Sequence, residues 1–139
     1  MSRPTGRTSA CDAAAARTRL RHADSFAVVA QLVLDQPDDE SLSLPSVVAA
    51  LAVLAGIAAT DAACCARLGE RARGRDHRHA VDLVRNLEPH GRRMATDLDR
   101  LLVTKDEAHY GTLGVSHADA ASAAARARRM VTAARDLVG

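Results

Sequence analysis

Five arginines fall within twelve positions, from Arg67 to Arg78, interleaved with Gly69, Gly74 and the run Asp76-His77-Arg78-His79. Arg71, Arg73, Arg75 and His77 are residue types that grip phosphate. A guanidinium fork donates to two oxygens at once, and glycines let the backbone approach an anion. His77 also follows Asp76 at the expected start of a helix, where free N–H groups favour negative charge. The bland alternative is a solvated basic loop. Asp76, His77 and His79 include metal-ligand types, but no further acid or histidine is spaced to complete a set, so no metal is expected. A second group is Lys105-Asp-Glu-Ala-His109-Tyr110. Lys105 and His109 stand four apart and share a helix face. Lysine can neutralise a phosphate, histidine can move a proton near neutral pH, and Tyr110 adds a hydroxyl. Otherwise these are helix-end cations favoured by the macrodipole. The third is Asp61, the one acid in an apolar stretch, where a buried charge needs a cationic partner. An arginine of the basic segment, Lys105 or His109 can supply it. Asp61 and His109 are expected to converge, with Asp61 orienting the site.

The elements that must position these groups are helices. The chain has 139 residues, enough for one domain of ordinary size. Thirty are Ala, eighteen Arg, one Lys, one Tyr, one Phe and none Trp. Ala and Leu favour helix, while eight Gly and four Pro are too few for a sandwich with frequent turns. That excludes an all-β fold, and the 47% hydrophobic content excludes a disordered chain. Residues 1–8 read as a disordered tail and 9–139 as the domain. The first helix is expected near 9–34, capped by Ser9 with Asp12. Its stripe runs through Ala16, Leu20, Ala23, Ala27, Ala30 and Leu34 and ends before Pro37. The acidic connector 35–40 leads to a second helix near 44–68, apolar nearly all round and therefore central, with Gly69 as C-cap. Asp76 opens a third helix near 77–87 and Pro89 a fourth near 89–109. Ser116 with Asp119 caps a fifth near 116–137. No strand is expected. Short connections make this an all-α, antiparallel four- to five-helix bundle.

Formal net charge is +2, too little for a protein that coats DNA. Cys11, Cys64 and Cys65 are odd in number and read as small buried hydrophobes in a reducing cytoplasm. Residues Val47–Ala66 are long enough to span a bilayer, but Asp61 within them is costly there, so a core helix is expected and no membrane partner. Ala-rich seams bury little area per residue, which favours a homodimer.

In order, a long capped first helix, an Ala-rich second, a short third and a fourth ending in Lys105-Asp-Glu-Ala-His-Tyr-Gly111 precede a final amphipathic helix. This pattern resembles the HEPN-domain family, in particular HEPN-like proteins of high-GC actinobacteria, over residues 10–138. The resemblance implies a small bacterial helical bundle that acts as an RNA-cleaving toxin or as the partner of a minimal nucleotidyltransferase. Catalytic members carry an Arg and a His with four to six residues between them, rather than the three here, and cleave RNA without metal across a homodimer. Lys105 and His109 depart from that motif in identity and spacing. The expectation is therefore a cytoplasmic, non-catalytic or weakly catalytic module that binds nucleic acid or a nucleotide, with no cofactor. Two alternatives stand beside it: a metal-independent ribonuclease using Lys105 and His109, and an adaptor that binds a nucleotidyltransferase in a toxin–antitoxin pair.

Overall fold

A computed structural model describes residues 7–74, 76–110 and 114–139, the side chains of 107–110 excepted. Its helices are α1 (Ala13–Leu34), α2 (Leu44–Leu68), α3 (His77–Arg85), α4 (Gly91–Tyr110) and α5 (His117–Val138). The all-α bundle expected from composition is the architecture observed. Local capping explains most of the boundaries. Asp76 accepts from the His79 amide and Ser116 from the Asp119 amide, so each satisfies an orphan N–H of a first turn. Gly69 ends α2 in the left-handed region at φ +69°, which an L side chain resists.

Four local expectations are corrected. Two short strands form, β1 (Thr8–Ala10) and β2 (Glu70–Ala72), paired antiparallel with Ser9 opposite Arg71. Ser9 is thus a strand residue, and Asp12 caps α1 by accepting from the Ala15 amide. Helix α4 starts at Gly91 rather than Pro89, which follows a cis peptide bond in the preceding turn. Cys11 and Cys65 are not thiols: they form a disulfide that ties the chain after β1 to the end of α2. That bond is the chemistry of an oxidising environment rather than of a reducing one.

Helix α2 is the centre. Ala52, Ala55, Ala58, Ala59, Ala62 and Ala63 are all fully buried along it. It is long and apolar enough to cross a membrane, yet most of its most apolar window is buried inside the bundle. Where α2 meets α4 and α5 it carries Gly56, and a Cβ there would stand 2.7 Å from Leu101 Cδ1 and 3.2 Å from Met130 Sδ. Met94, Leu98, Leu101 and Met130 are the largest fully buried side chains and fill the space that alanines leave. Each buried methyl contributes about 0.8 kcal/mol, so close backbone approach substitutes for bulk.

Chain direction follows from pairs at known levels. Arg67 near the end of α2 donates to the Leu137 carbonyl at the end of α5, so these helices run parallel. His90 meets Asp136 and Arg129 meets Asp97, so α4 runs antiparallel to α5, and hence to α2.

Candidate functional site

Asp61 is buried and has its cation, from a direction the sequence did not suggest. Arg19 of α1 donates to Asp61 Oδ2 from Nη2 at 3.0 Å and from Nε at 3.2 Å. Arg71 of β2 approaches the same oxygen at 3.9 Å. Burial pushes the Asp61 carboxyl above its ordinary range; Arg19 first, then Arg71 and His77, oppose that. The basic-segment partner weighed from sequence is therefore present in Arg71, while Arg19 was missed. Its signal was available, since Arg19 lies between Arg17 and Arg21 on a different face of the helix.

Asp61 does not converge on Lys105. Antiparallel packing sets Leu98 and Leu101 beside Gly56, so each further residue of α4 moves towards the start of α2. Asp61 lies the other way. At 1.5 Å rise per residue the two are separated by roughly 14 Å along the bundle, and His109 is one turn farther still. Only a parallel course of α4 beside α2 would have brought the end of α4 to Asp61. Within one copy Asp61 and Lys105 therefore share no site. Arg75 and the side chains of His109 and Tyr110 lie outside the described residues.

The basic segment 67–78 is largely committed to the fold. Arg67 holds the Leu137 carbonyl, Arg71 faces Asp61, and Arg78 pairs with Asp99 at 2.7 Å. Arg73 is exposed, and its backbone amide bonds the Arg7 carbonyl beside the sheet. Both ring nitrogens of His79 are shut from solvent without a hydrogen-bond partner among the described residues. Asp76, His77 and His79 do not form a metal-binding group, nor does any other trio of His, Cys, Asp or Glu among those residues.

A different surface gathers cations, most of them already partnered: His90 with Asp136, Arg128 with Gln31, Arg129 with Asp97 and Arg135 with Asp24. The groove between the start of α4 and the second half of α5 is lined by His90, Arg93, Arg128, Arg129 and Arg135 and has a volume of about 790 Å³. A neighbouring hollow adds Arg92, Thr96 and Asp97. Asp97 is buried; Arg129 donates to its Oδ1 at 3.0 Å and Arg126 Nε stands 3.9 Å from the same oxygen. Asp97 Oδ2 and Arg126 Nε are both buried without a hydrogen-bond partner among the described residues. Arg92 and Arg93 are exposed, occupy the first turn of α4 and make no ion pair among the described residues. Cations at a helix N-terminus oppose the macrodipole, at a cost of some tenths of a kcal/mol each. No acid in that turn offsets them. Neither Arg92 nor Arg93 stands among the residues singled out from sequence. The signal was the adjacent pair directly after Gly91, at the wrong end of a helix for its charge.

Compared with protein-family models, with curated proteins and with solved structures, the chain matches none.

Proposed function

We propose that the chain is a HEPN-like, non-catalytic module that binds a phosphate-bearing ligand, nucleic acid or nucleotide, along the arginine groove of α4 and α5. The helix order expected from the resemblance supports the family reading. The observation that carries the ligand reading is Arg92 and Arg93: two guanidinium groups without an ion pair among the described residues sit where the helix dipole disfavours them. A bound phosphate is attracted by both the dipole and the forks, and so removes that conflict. Arg129, already fixed at one nitrogen by Asp97, keeps other N–H groups for a ligand.

The test is fluorescence anisotropy with a labelled single-stranded RNA, a labelled single-stranded DNA and a labelled nucleotide, across a salt series. Affinity falls as salt rises, because each neutralised phosphate releases counterions. Replacing Arg92 and Arg93 by Ala weakens binding and flattens the logarithmic salt slope for a single strand by about 1.4, from roughly 0.7 per phosphate contact. Arg73→Ala leaves both unchanged. If Arg73→Ala is the variant that weakens binding, the site is the turn after β2 and the groove reading fails.

A further inference from the structure

The outward stripe of α1 is patterned from end to end. Arg17 and Arg21 stand exposed in its first half, Val28 and Leu32 in its second, and Asp35 closes it as C-cap. Val28 is 51% exposed and Leu32 57%, large values for aliphatic side chains four residues apart on one face. Both line a groove of about 360 Å³ between α1 and α5, floored by Ala27 and Val131. Past Asp35 the exposed connector continues the acid with Asp38, Asp39 and Glu40. Ser41 donates to Asp39 Oδ1 from both its amide and its hydroxyl, which fixes that carboxylate in place.

We infer that this face binds a second copy of the chain, α1 against α1 in antiparallel pairing, because the stripe of basic, apolar and acidic segments is complementary to itself when reversed. A two-fold axis at Val28 sets Arg21 of one copy level with Asp35 of the other, and Arg17 level with the acidic connector. The same contacts recur on the other side of the axis, as an isologous interface requires. The exposed valine and leucine then fill the partner's α1–α5 groove and are removed from water. Asp24, level with the partner's Leu32, is already neutralised by Arg135 at 3.1 Å in its own chain. This pairing shares Arg128 and Arg135 with the arginine groove but not Arg92 or Arg93, and its test reads oligomeric mass rather than phosphate binding, so the two readings fail separately.

Sedimentation equilibrium on the full chain tests it. The wild type has a concentration-dependent mass that approaches twice 14.7 kDa. Arg17→Glu with Arg21→Glu sets like charges opposite each other and raises the dimer Kd by about a hundredfold or more, and Asp35→Lys with Asp39→Lys does the same. Combining all four substitutions in one chain reverses both halves of the stripe and restores dimerisation. All of these positions are exposed, and far-UV circular dichroism verifies that each variant is folded. A strictly monomeric wild type overturns the inference. So does a dimer indifferent to the charge reversals, or a four-substitution variant that stays as weak as the two pairs.

Discussion

Asp61 shows how one charge in an apolar helix is tolerated. Its carboxyl is pushed above the ordinary value of 3.8 by burial, with Arg19 the main opposing influence. A raised carboxyl pKa in the folded state means that the folded chain holds the proton more tightly than the unfolded one. The stabilising contribution is therefore present below about pH 3.8 and is lost as pH rises through the folded value. Stability of the wild type relative to Asp61→Asn should thus decline from acid towards neutral pH, as read by urea unfolding at a series of pH values. At neutral pH the two substitutions that break the pair should differ. Asp61→Asn removes the poorly solvated charge and should cost about 1 kcal/mol or less. Arg19→Ala leaves the carboxylate with only the weaker influences of Arg71, at 3.9 Å, and His77, and should cost about 2–3 kcal/mol. If Asp61→Asn costs more than Arg19→Ala, the ion pair is a net attraction that exceeds the burial cost.

At the scale of elements, the bundle depends on how closely α2 lets its neighbours approach. Gly56 is the contact point, since any Cβ there displaces the ends of Leu101 and Met130. Alanine gains about 1 kcal/mol of helix propensity over glycine, whereas overpacking a core costs about 1–3 kcal/mol. Both neighbours meet it with the ends of flexible side chains, so Gly56→Ala should destabilise only by about 1 kcal/mol. Gly56→Val should cost about 3 kcal/mol, because its two methyl groups have no free space and little rotamer choice. Chemical denaturation of both variants measures the difference. A Gly56→Val variant as stable as the wild type would show that α4 can retreat from α2. The helices were legible from sequence because caps and apolar spacing are local: Asp76, Ser116 and Gly69 act within a turn of themselves. The strands were not, since three residues of β1 are held only by β2, some sixty positions away, and neither has a pattern of its own.

For the whole molecule, the covalent tie between Cys11 and Cys65 closes a loop with a sequence separation of 54. By chain entropy such a loop contributes up to about 4 kcal/mol, a large share of the roughly 5–15 kcal/mol typical of a domain. Reduction with a dithiol should lower the urea midpoint accordingly, and the Cys11→Ser, Cys65→Ser pair should reproduce that shift without reductant. Cys64 supplies an internal control. Burial first, then the carboxylates of Asp61 and Glu70, push its thiol up to about 12, so it stays protonated and inert. Iodoacetamide at pH 8 should label no cysteine in the native chain, one in the unreduced unfolded chain and three after unfolding with reductant. Labelling of Cys11 or Cys65 without reductant would show that the bridge is absent.

The sequence by itself determined what depends on near neighbours: five helices, the caps Gly69, Asp76 and Ser116, the central burial of α2, and the rule that Asp61 must meet a cation. It also contained every arginine, yet could not say which were spent on the fold. That was decided by tertiary structure. Arg19 reaches Asp61 across 42 positions, and Arg129 reaches Asp97 across 32. Packing gave Arg67, Arg71 and Arg78 partners in other elements and left Arg92 and Arg93 without an ion pair among the described residues. Helical periodicity specifies which face of a helix is buried, but not which helix covers it or in which direction that helix runs. The antiparallel course of α4 is such a direction, and it is the physical reason that Lys105 and Asp61, expected together, stand far apart.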